Sequence, residues 1–266
     1  MAEIQVFENP QALQQGAAKR LVELARAAIA DHGAFHIALA GGSTPRGLYE
    51  WLARPELSAG IDWSRWHIWF GDERSVPPDH PDSNYRMARE ALLDHVPIPD
   101  DQIHRMIAET DDREKCAKDY EGLLQDQLPR HGDGRPRFDL VLLGMGPDGH
   151  TASLFPGTTI LEVEDRLVAP VWVEKLDTWR MSLTYPAINA AGHVMILATG
   201  ESKAEMIRRV LGNTHEESTL PIQRIRPAGE LEWFLDTSAA GRLSRCELEA
   251  GSSKLEVKCP GLTPKN

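Results

Sequence analysis

Residues 138–156 read FDLVLLGMGPDGHTASLFP. The first six, Phe138-Asp139-Leu140-Val141-Leu142-Leu143, make an almost wholly apolar run of strand length. Such a run suits a strand buried on both faces, as in a parallel sheet covered by helices. It passes directly into Gly144-Met145-Gly146-Pro147-Asp148-Gly149-His150. Three glycines and a proline fix an irregular backbone at the mouth of the strand and present Asp148 and His150 there. Histidine is the side chain whose ordinary pKa, about 6.5, suits proton transfer near neutrality.

The same order of strand, glycine-rich turn and helix recurs upstream. Phe35-His36-Ile37-Ala38-Leu39 is a second short apolar run, ending in Ala40-Gly41-Gly42-Ser43-Thr44-Pro45. Thr44-Pro45 reads as an N-cap and first helical residue, opening a helix through Leu48 and Leu52. Residues 67–70 predict a strand, followed by Gly71-Asp72-Glu73-Arg74, a proline-rich loop over 75–81 and a helix over 84–93 headed by Ser83. Asn9-Pro10 caps a helix carrying Leu13, Ala17, Leu21, Leu24, Ala28 and Ile29 at helical spacing, with Gly33 to end it. Further helices are predicted over 112–128, 185–190 and 201–211, a loop over 130–137, and strands over 167–173, 180–184, 193–198 and 231–235. Strands alternating with helices indicate an α/β protein with a mainly parallel sheet. Residues 1–240 read as one domain, and 241–266, polar and without a convincing period, as a tail outside the core.

Composition narrows the function. The chain has 266 residues, 41% hydrophobic and 26% charged, which excludes wholesale disorder, collagen-like repetition and a membrane bundle. No stretch approaches the roughly 20 apolar residues of a membrane span. A net charge of −11 disfavours nucleic acid and anionic lipid as partners, so positive charge for an anionic ligand must be local. The opening MAEIQVFENP has neither a basic n-region nor an apolar h-region, which predicts no secretory leader. Cys116, Cys246 and Cys259 are sparse and lack CxxC spacing, which predicts neither disulfides nor a zinc site, and a cytoplasmic location. His32, His80 and His131 read as solvated loop residues. Trp63, Trp66 and Trp179 read equally as an interface or as packing.

In an open parallel sheet, ligands bind at the carboxyl ends of the strands. Three polar or glycine-rich segments each follow a strand here: 41–45, 71–74 and 144–150. Gly41-Gly42-Ser43-Thr44 before a helix suits an anion, because unpaired N–H groups and the helix dipole meet there. It also reads as a plain strand-to-helix turn. It lacks the GK[ST] ending of a Walker loop and is not GxGxxG, so neither ATP nor a dinucleotide is implied. Asp72-Glu73-Arg74 offers a base and an anion-holding guanidinium, or an ordinary surface ion cluster. Arg180 and Lys203 each read alone as a surface cation. A lysine in the first turn of a helix nevertheless opposes the dipole, which hints at an anion there. No HExxH or comparable spacing surrounds His150, which predicts no metal, and no GxSxG elbow indicates a serine hydrolase.

The strings LAGGSTPRGLY, WFGDERSVPPDHPDSNYRMAREALL, FDLVLLGMGPDGHTASLFPG, WRMSLTYPAIN and ATGESKAE occur in that order. Together they resemble the family of 6-phosphogluconolactonases and glucosamine-6-phosphate isomerases, on its lactonase branch, from about Glu3 to Asp236. The resemblance implies a Rossmann-like α/β/α sandwich without a cofactor, acting on 6-phospho-D-glucono-1,5-lactone in the oxidative pentose phosphate pathway. It places the catalytic histidine on His150 and the phosphate- and sugar-binding positions on Gly42, Ser43, Thr44, Arg74, Arg180 and Lys203. Asp148 and Gly149 join that set as neighbours of His150. Asp72 takes the position of the deaminases' catalytic aspartate, and either Asp72 or Asp148 is expected to orient the imidazole. A monomer or weak dimer is expected. Deaminases of the family typically read Asp-Glu-Tyr where this chain has Asp72-Glu73-Arg74. A catalytically silent sugar-phosphate sensor would carry a DNA-binding helix-turn-helix and a basic face, against the net charge of −11.

Overall fold

Asn9 accepts the Ala12 N–H at 2.9 Å, and Pro10 takes the first helical position. The longest helix therefore starts at its predicted cap and stops at Gly33, whose φ is 90°. The computed structural model describes residues 2–130, 134–212 and 219–244. In chain order the elements are β1 (Glu3–Phe7), α1 (Pro10–His32), β2 (Phe35–Leu39), α2 (Ser43–Leu52), α3 (Pro55–Ser58), β3 (Trp66–Phe70), β4 (Asp72–Arg74), α4 (Asn84–Ala88), α5 (Arg113–Gln127), β5 (Leu140–Gly144), β6 (Val168–Val173), β7 (Thr178–Leu183), α6 (Tyr185–Ala190), β8 (His193–Ala198), α7 (Ala204–Leu211), β9 (Glu230–Asp236) and α8 (Thr237–Ala240).

A six-stranded sheet runs β1-β9-β8-β5-β2-β3, parallel throughout. Its central strands are buried along their length: Phe35 to Leu39 and Leu140 to Leu143 are all buried, and all but His36 belong to the hydrophobic core. The chain leaves β2 toward β3 on one side and β5 toward β8 on the other. β2 and β5 therefore flank the topological switch point, where a crevice opens at the carboxyl ends. Both glycine-rich turns open there.

A second sheet, β4-β7-β6, is antiparallel. Gly71 joins the two. Its N–H donates to the Leu39 carbonyl at the end of β2, and its own carbonyl accepts from Leu183 of β7 at 2.8 Å. A Cβ on Gly71 would sit 3.4 Å from that Leu39 oxygen. The chain thus crosses the carboxyl end of the main sheet and carries Asp72-Glu73-Arg74 with it.

Several local expectations change. The helix over 84–93 is α4 followed by a π-helical turn, Arg89–Leu93, and that over 201–211 is a 3-10 turn, Glu201–Lys203, followed by α7. The N-cap of α2 is Gly42, with φ 103°, instead of Thr44, because only glycine takes that backbone readily. Asp72-Glu73-Arg74, expected only as a segment after a strand, forms a strand of its own, because β7 supplies a partner far along the chain. Strand β1 was not foreseen. Trp63 and Trp66 belong to the core. His32 is not solvated loop but the last turn of α1, its Nε2 2.8 Å from Asp139. The expected tail begins against the body: Leu243 packs on the core, and Arg242 pairs with Glu205 at 2.7 Å. From 245 onward the tail, with Cys246 and Cys259, lies outside the described residues, as does His131.

At the amino ends of β2 and β3, His36 and His67 stack at 4.4 Å, and His104 lies 3.8 Å from the Trp69 ring. Burial first, then neighbouring histidines, push His36 down to about 3 and His104 to about 4. The unfolded chain binds protons at these rings near pH 6.5, whereas the folded chain does not. Stability is therefore complete above pH 6.5 and falls as pH drops, by at most about 1.4 kcal/mol per pH unit for each ring. Chemical denaturation at pH 7.5 and 5.5 should show a loss of about 2 to 3 kcal/mol from this pair. Equal stability at the two pH values would contradict the burial of uncharged rings.

Candidate active site

The cleft at the switch point has a volume of about 280 Å³ and is lined by residues from the ends of β2, β3 and β5, with Lys203 from beyond β8. His150, Asp72, Arg74, Gly42 and Lys203 all face it. Segments far apart in sequence therefore meet in one place.

His150 is held on several sides. The Gly146 N–H donates to its carbonyl at 2.8 Å, closing the turn. Gly146 comes so near that a Cβ there would fall 2.0 Å from the imidazole, so no other residue fits without moving the ring. Phe155 stacks on the ring at 4.0 Å. Nδ1 lies 2.5 Å from Asp148 Oδ1, and since an ionised carboxylate only accepts, Nδ1 carries the proton. Nε2 is then left with its lone pair. Burial lowers the pKa of His150 and Asp148 opposes it, so the ring favours the neutral form. Desolvation resists charge on Asp148, but hydrogen bonds from Lys175 and His150 outweigh it and hold the carboxyl at about 2.

Asp72 has other partners. Its Oδ2 accepts from Ser153 Oγ at 2.6 Å and its Oδ1 from Asn84 Nδ2 at 3.2 Å. Of the two carboxylates expected to orient the imidazole, the structure gives that bond to Asp148. Glu73 is buried and staples the 75–83 loop, accepting the N–H groups of Arg74, Asn84 and Tyr85, each at 2.8 Å. Its side chain is thereby spent on structure.

The cations gather on the second sheet. Arg74 and Arg180 are register partners across β4 and β7. Arg74 Nη1 donates to the Asp82 carbonyl, while Nε of both arginines is buried without a partner. Burial, then the Arg74 charge, lowers the pKa of Arg180, and burial lowers that of Lys203. Both cations would gain from an anion. Ser43 is exposed at the first turn of α2. The Thr44 hydroxyl is bonded to that of Thr199 at 2.8 Å, tying the turn after β2 to the one after β8. Gly149, with φ 76°, is not among the cleft-lining residues; its carbonyl accepts from Ile222, and a Cβ would meet Leu220 at 3.1 Å.

Asn84, Ser153, Phe155 and Lys175 escaped the sequence reading. Asn84 and Ser153 lie within strings already singled out, but nothing in a lone amide or hydroxyl shows that it meets Asp72. Among the described residues no group of three or more His, Cys, Asp or Glu side chains is arranged to hold a metal ion, and no helix is long and apolar enough to cross a membrane.

The family described as glucosamine-6-phosphate isomerases/6-phosphogluconolactonase matches residues 8–233. A 6-phosphogluconolactonase of Synechocystis is 42% identical over 241 residues, covering 91% of this chain and 98% of its own. That of Rattus norvegicus is 40% identical over 245 residues, covering 91% and 93%. The solved 6-phosphogluconolactonase of Trypanosoma brucei superposes with a TM-score of 0.81 at 32% identity, over 92% of this chain and 99% of that one. A monomeric glucosamine-6-phosphate deaminase, 20% identical with a TM-score of 0.76 over 91% and 100%, shares the fold.

The hydrogen bond and charge of Asp148 both raise the His150 pKa. Asp148→Asn should therefore move the His150 titration, followed by NMR, to lower pH, and further than Asp72→Asn does. A larger shift in the Asp72 variant would contradict the pairing.

Proposed function

The chain belongs to the glucosamine-6-phosphate isomerase/6-phosphogluconolactonase family, and from that premise we propose how its cleft works. It hydrolyses 6-phospho-D-glucono-1,5-lactone to 6-phospho-D-gluconate, a step of the pentose phosphate pathway. One observation carries the residue assignments: His150, its Nδ1 held by Asp148 from behind, opens into the same cleft as Gly42, Arg74 and Lys203.

Nε2 of His150 takes a proton from a water as its oxygen attacks C1 of the lactone. Asp148 holds the ring in the tautomer that leaves Nε2 free and stabilises the imidazolium that forms. As the tetrahedral intermediate collapses, the bond from C1 to the ring oxygen breaks. The imidazolium returns its proton to that oxygen, which becomes a hydroxyl. The new carboxyl group ionises to give 6-phosphogluconate.

The phosphate lies at the far end. Gly42, Ser43 and Thr44 offer main-chain N–H groups at the positive end of α2, and Arg74, Arg180 and Lys203 supply charge. Holding a remote phosphate positions the reacting carbonyl, so part of the binding energy is expressed as rate. Asp72, braced by Ser153 and Asn84, lines the cleft between these ends.

This reading treats residues 1–240 as one catalytic unit. It places the reaction in the cytoplasm, supported by sparse cysteines without CxxC spacing.

A coupled assay with freshly made lactone, corrected for spontaneous opening, tests the assignments. His150→Ala should lower kcat by about 10³-fold with the fold intact. Arg180→Ala should chiefly raise KM, by about tenfold or more. Wild-type turnover in His150→Ala would remove the imidazole from the reaction, and an unchanged KM in Arg180→Ala would remove Arg180 from the phosphate site.

A further inference from the structure

Lys175 lies outside every motif of the sequence, yet its Nζ reaches the site from the tip of a hairpin. Strands β6 and β7 pair through Val173 and Thr178, and a 3-10 turn, Glu174–Leu176, joins them. Asp177 closes that turn in the left-handed region, with φ 48°. Behind the turn, Trp172 and Trp179 are register partners with ring centres 5.6 Å apart, and Arg113 lies 5.3 Å over Trp179. The turn's backbone is thus anchored at its base, although Lys175 itself is half exposed.

From this turn Lys175 touches both neighbours of the imidazole. Its Nζ donates to Asp148 Oδ2, the oxygen not facing His150. It also lies 4.6 Å over the ring of Phe155, which stacks on His150. An exposed ion pair by itself contributes little to stability. This one falls on a carboxylate whose other oxygen holds the His150 ring. Both hydrogen bonds from His150, from its ring and from its main-chain N–H at 3.3 Å, fall on Oδ1, so the Lys175 contact is the one that restrains Oδ2 against turning about the Cβ–Cγ bond.

We propose that Lys175 is a positioning residue of the reaction: from the hairpin tip it holds Asp148 by Oδ2 so that Oδ1 stays on Nδ1 of His150. The antiparallel sheet then serves both ends of the substrate, with Arg74 on its edge strand β4, Arg180 on its middle strand β7 and Lys175 at its tip. This inference rests on the lactone-hydrolysis reading for its kinetic consequence but not for its geometry.

Two measurements on the whole chain test it, with Lys175→Met and Lys175→Arg beside the wild type. In the lactone assay, Lys175→Met should lose about tenfold in kcat, the scale of a slightly misplaced catalytic group, while KM holds within about twofold. By proton NMR, the far-downfield resonance of the hydrogen-bonded His150 Nδ1–H should broaden or vanish in Lys175→Met. Lys175→Arg should restore both. A sharp, unmoved resonance in Lys175→Met overturns the proposal whatever the turnover. So does a rise in KM in place of the loss in kcat, which would make Lys175 a substrate contact. A wild type without lactone turnover would count against the function alone, because the resonance still decides the role of Lys175.

Discussion

Gly146 and His150 nearly occupy one another's space. A single methyl group on Gly146 would collide with the imidazole, so the ring's place is set by the absence of a side chain four residues earlier. The turn that brings them together is closed by main-chain hydrogen bonds, from Gly146 N–H to the His150 carbonyl and from Gly149 N–H to the Gly146 carbonyl. Because this turn grows out of β5, a strand buried along most of its length, the imidazole inherits the rigidity of the sheet. The proton transfer proposed for His150 needs such rigidity: a base even an ångström out of place loses much of its effect.

The second sheet is what turns a strand end into a cleft lined on more than one side. A bare switch point would offer the turns after β2 and β5 and little else. Here Gly71 carries the chain across the crevice, and β4 and β7 bring Asp72, Arg74 and Arg180 with them. The segment that follows β5 is then bolted to the second sheet beside the site, through Ser153 to Asp72 and through the Ser153 N–H to the Ser182 hydroxyl at 3.2 Å. This arrangement also resolves a difficulty in the charge balance. The protein is strongly acidic overall, yet its ligand is an anion. Arg74 and Arg180, placed side by side on paired strands with a buried, unpartnered Nε on each, concentrate positive charge locally.

Much of this was legible in the residues. The buried strand Leu140–Gly144, the helix start at Asn9-Pro10 and the glycine-rich turns follow from local physics: apolar runs, caps and turn chemistry. The meeting of His150, Gly42, Arg74 and Lys203 followed from one topological rule about strand ends. What escaped depends on pairings between distant segments. Residues 167–173 and 180–184 were recognisable as strands, but nothing local says they leave the main sheet to pair with each other, the second of them also with 72–74. Asp72 and Asp148 were equal candidates to orient His150, because a carboxylate's partner is set by folding and not by its neighbours in sequence. Lys175 gave no signal, since a lysine between Glu174 and Leu176 looks like any exposed cation.

A crystal structure of the complex with 6-phosphogluconate tests the central claim most directly, that one cleft holds a phosphate at one end and the reacting carbon against an imidazole at the other. The account predicts the phosphate among the Gly42–Thr44 amides, Arg74, Arg180 and Lys203, with the C1 carboxylate within hydrogen-bond distance of His150 Nε2. A ligand lying in the reverse sense, with its phosphate on His150, or bound away from this cleft altogether, would contradict it.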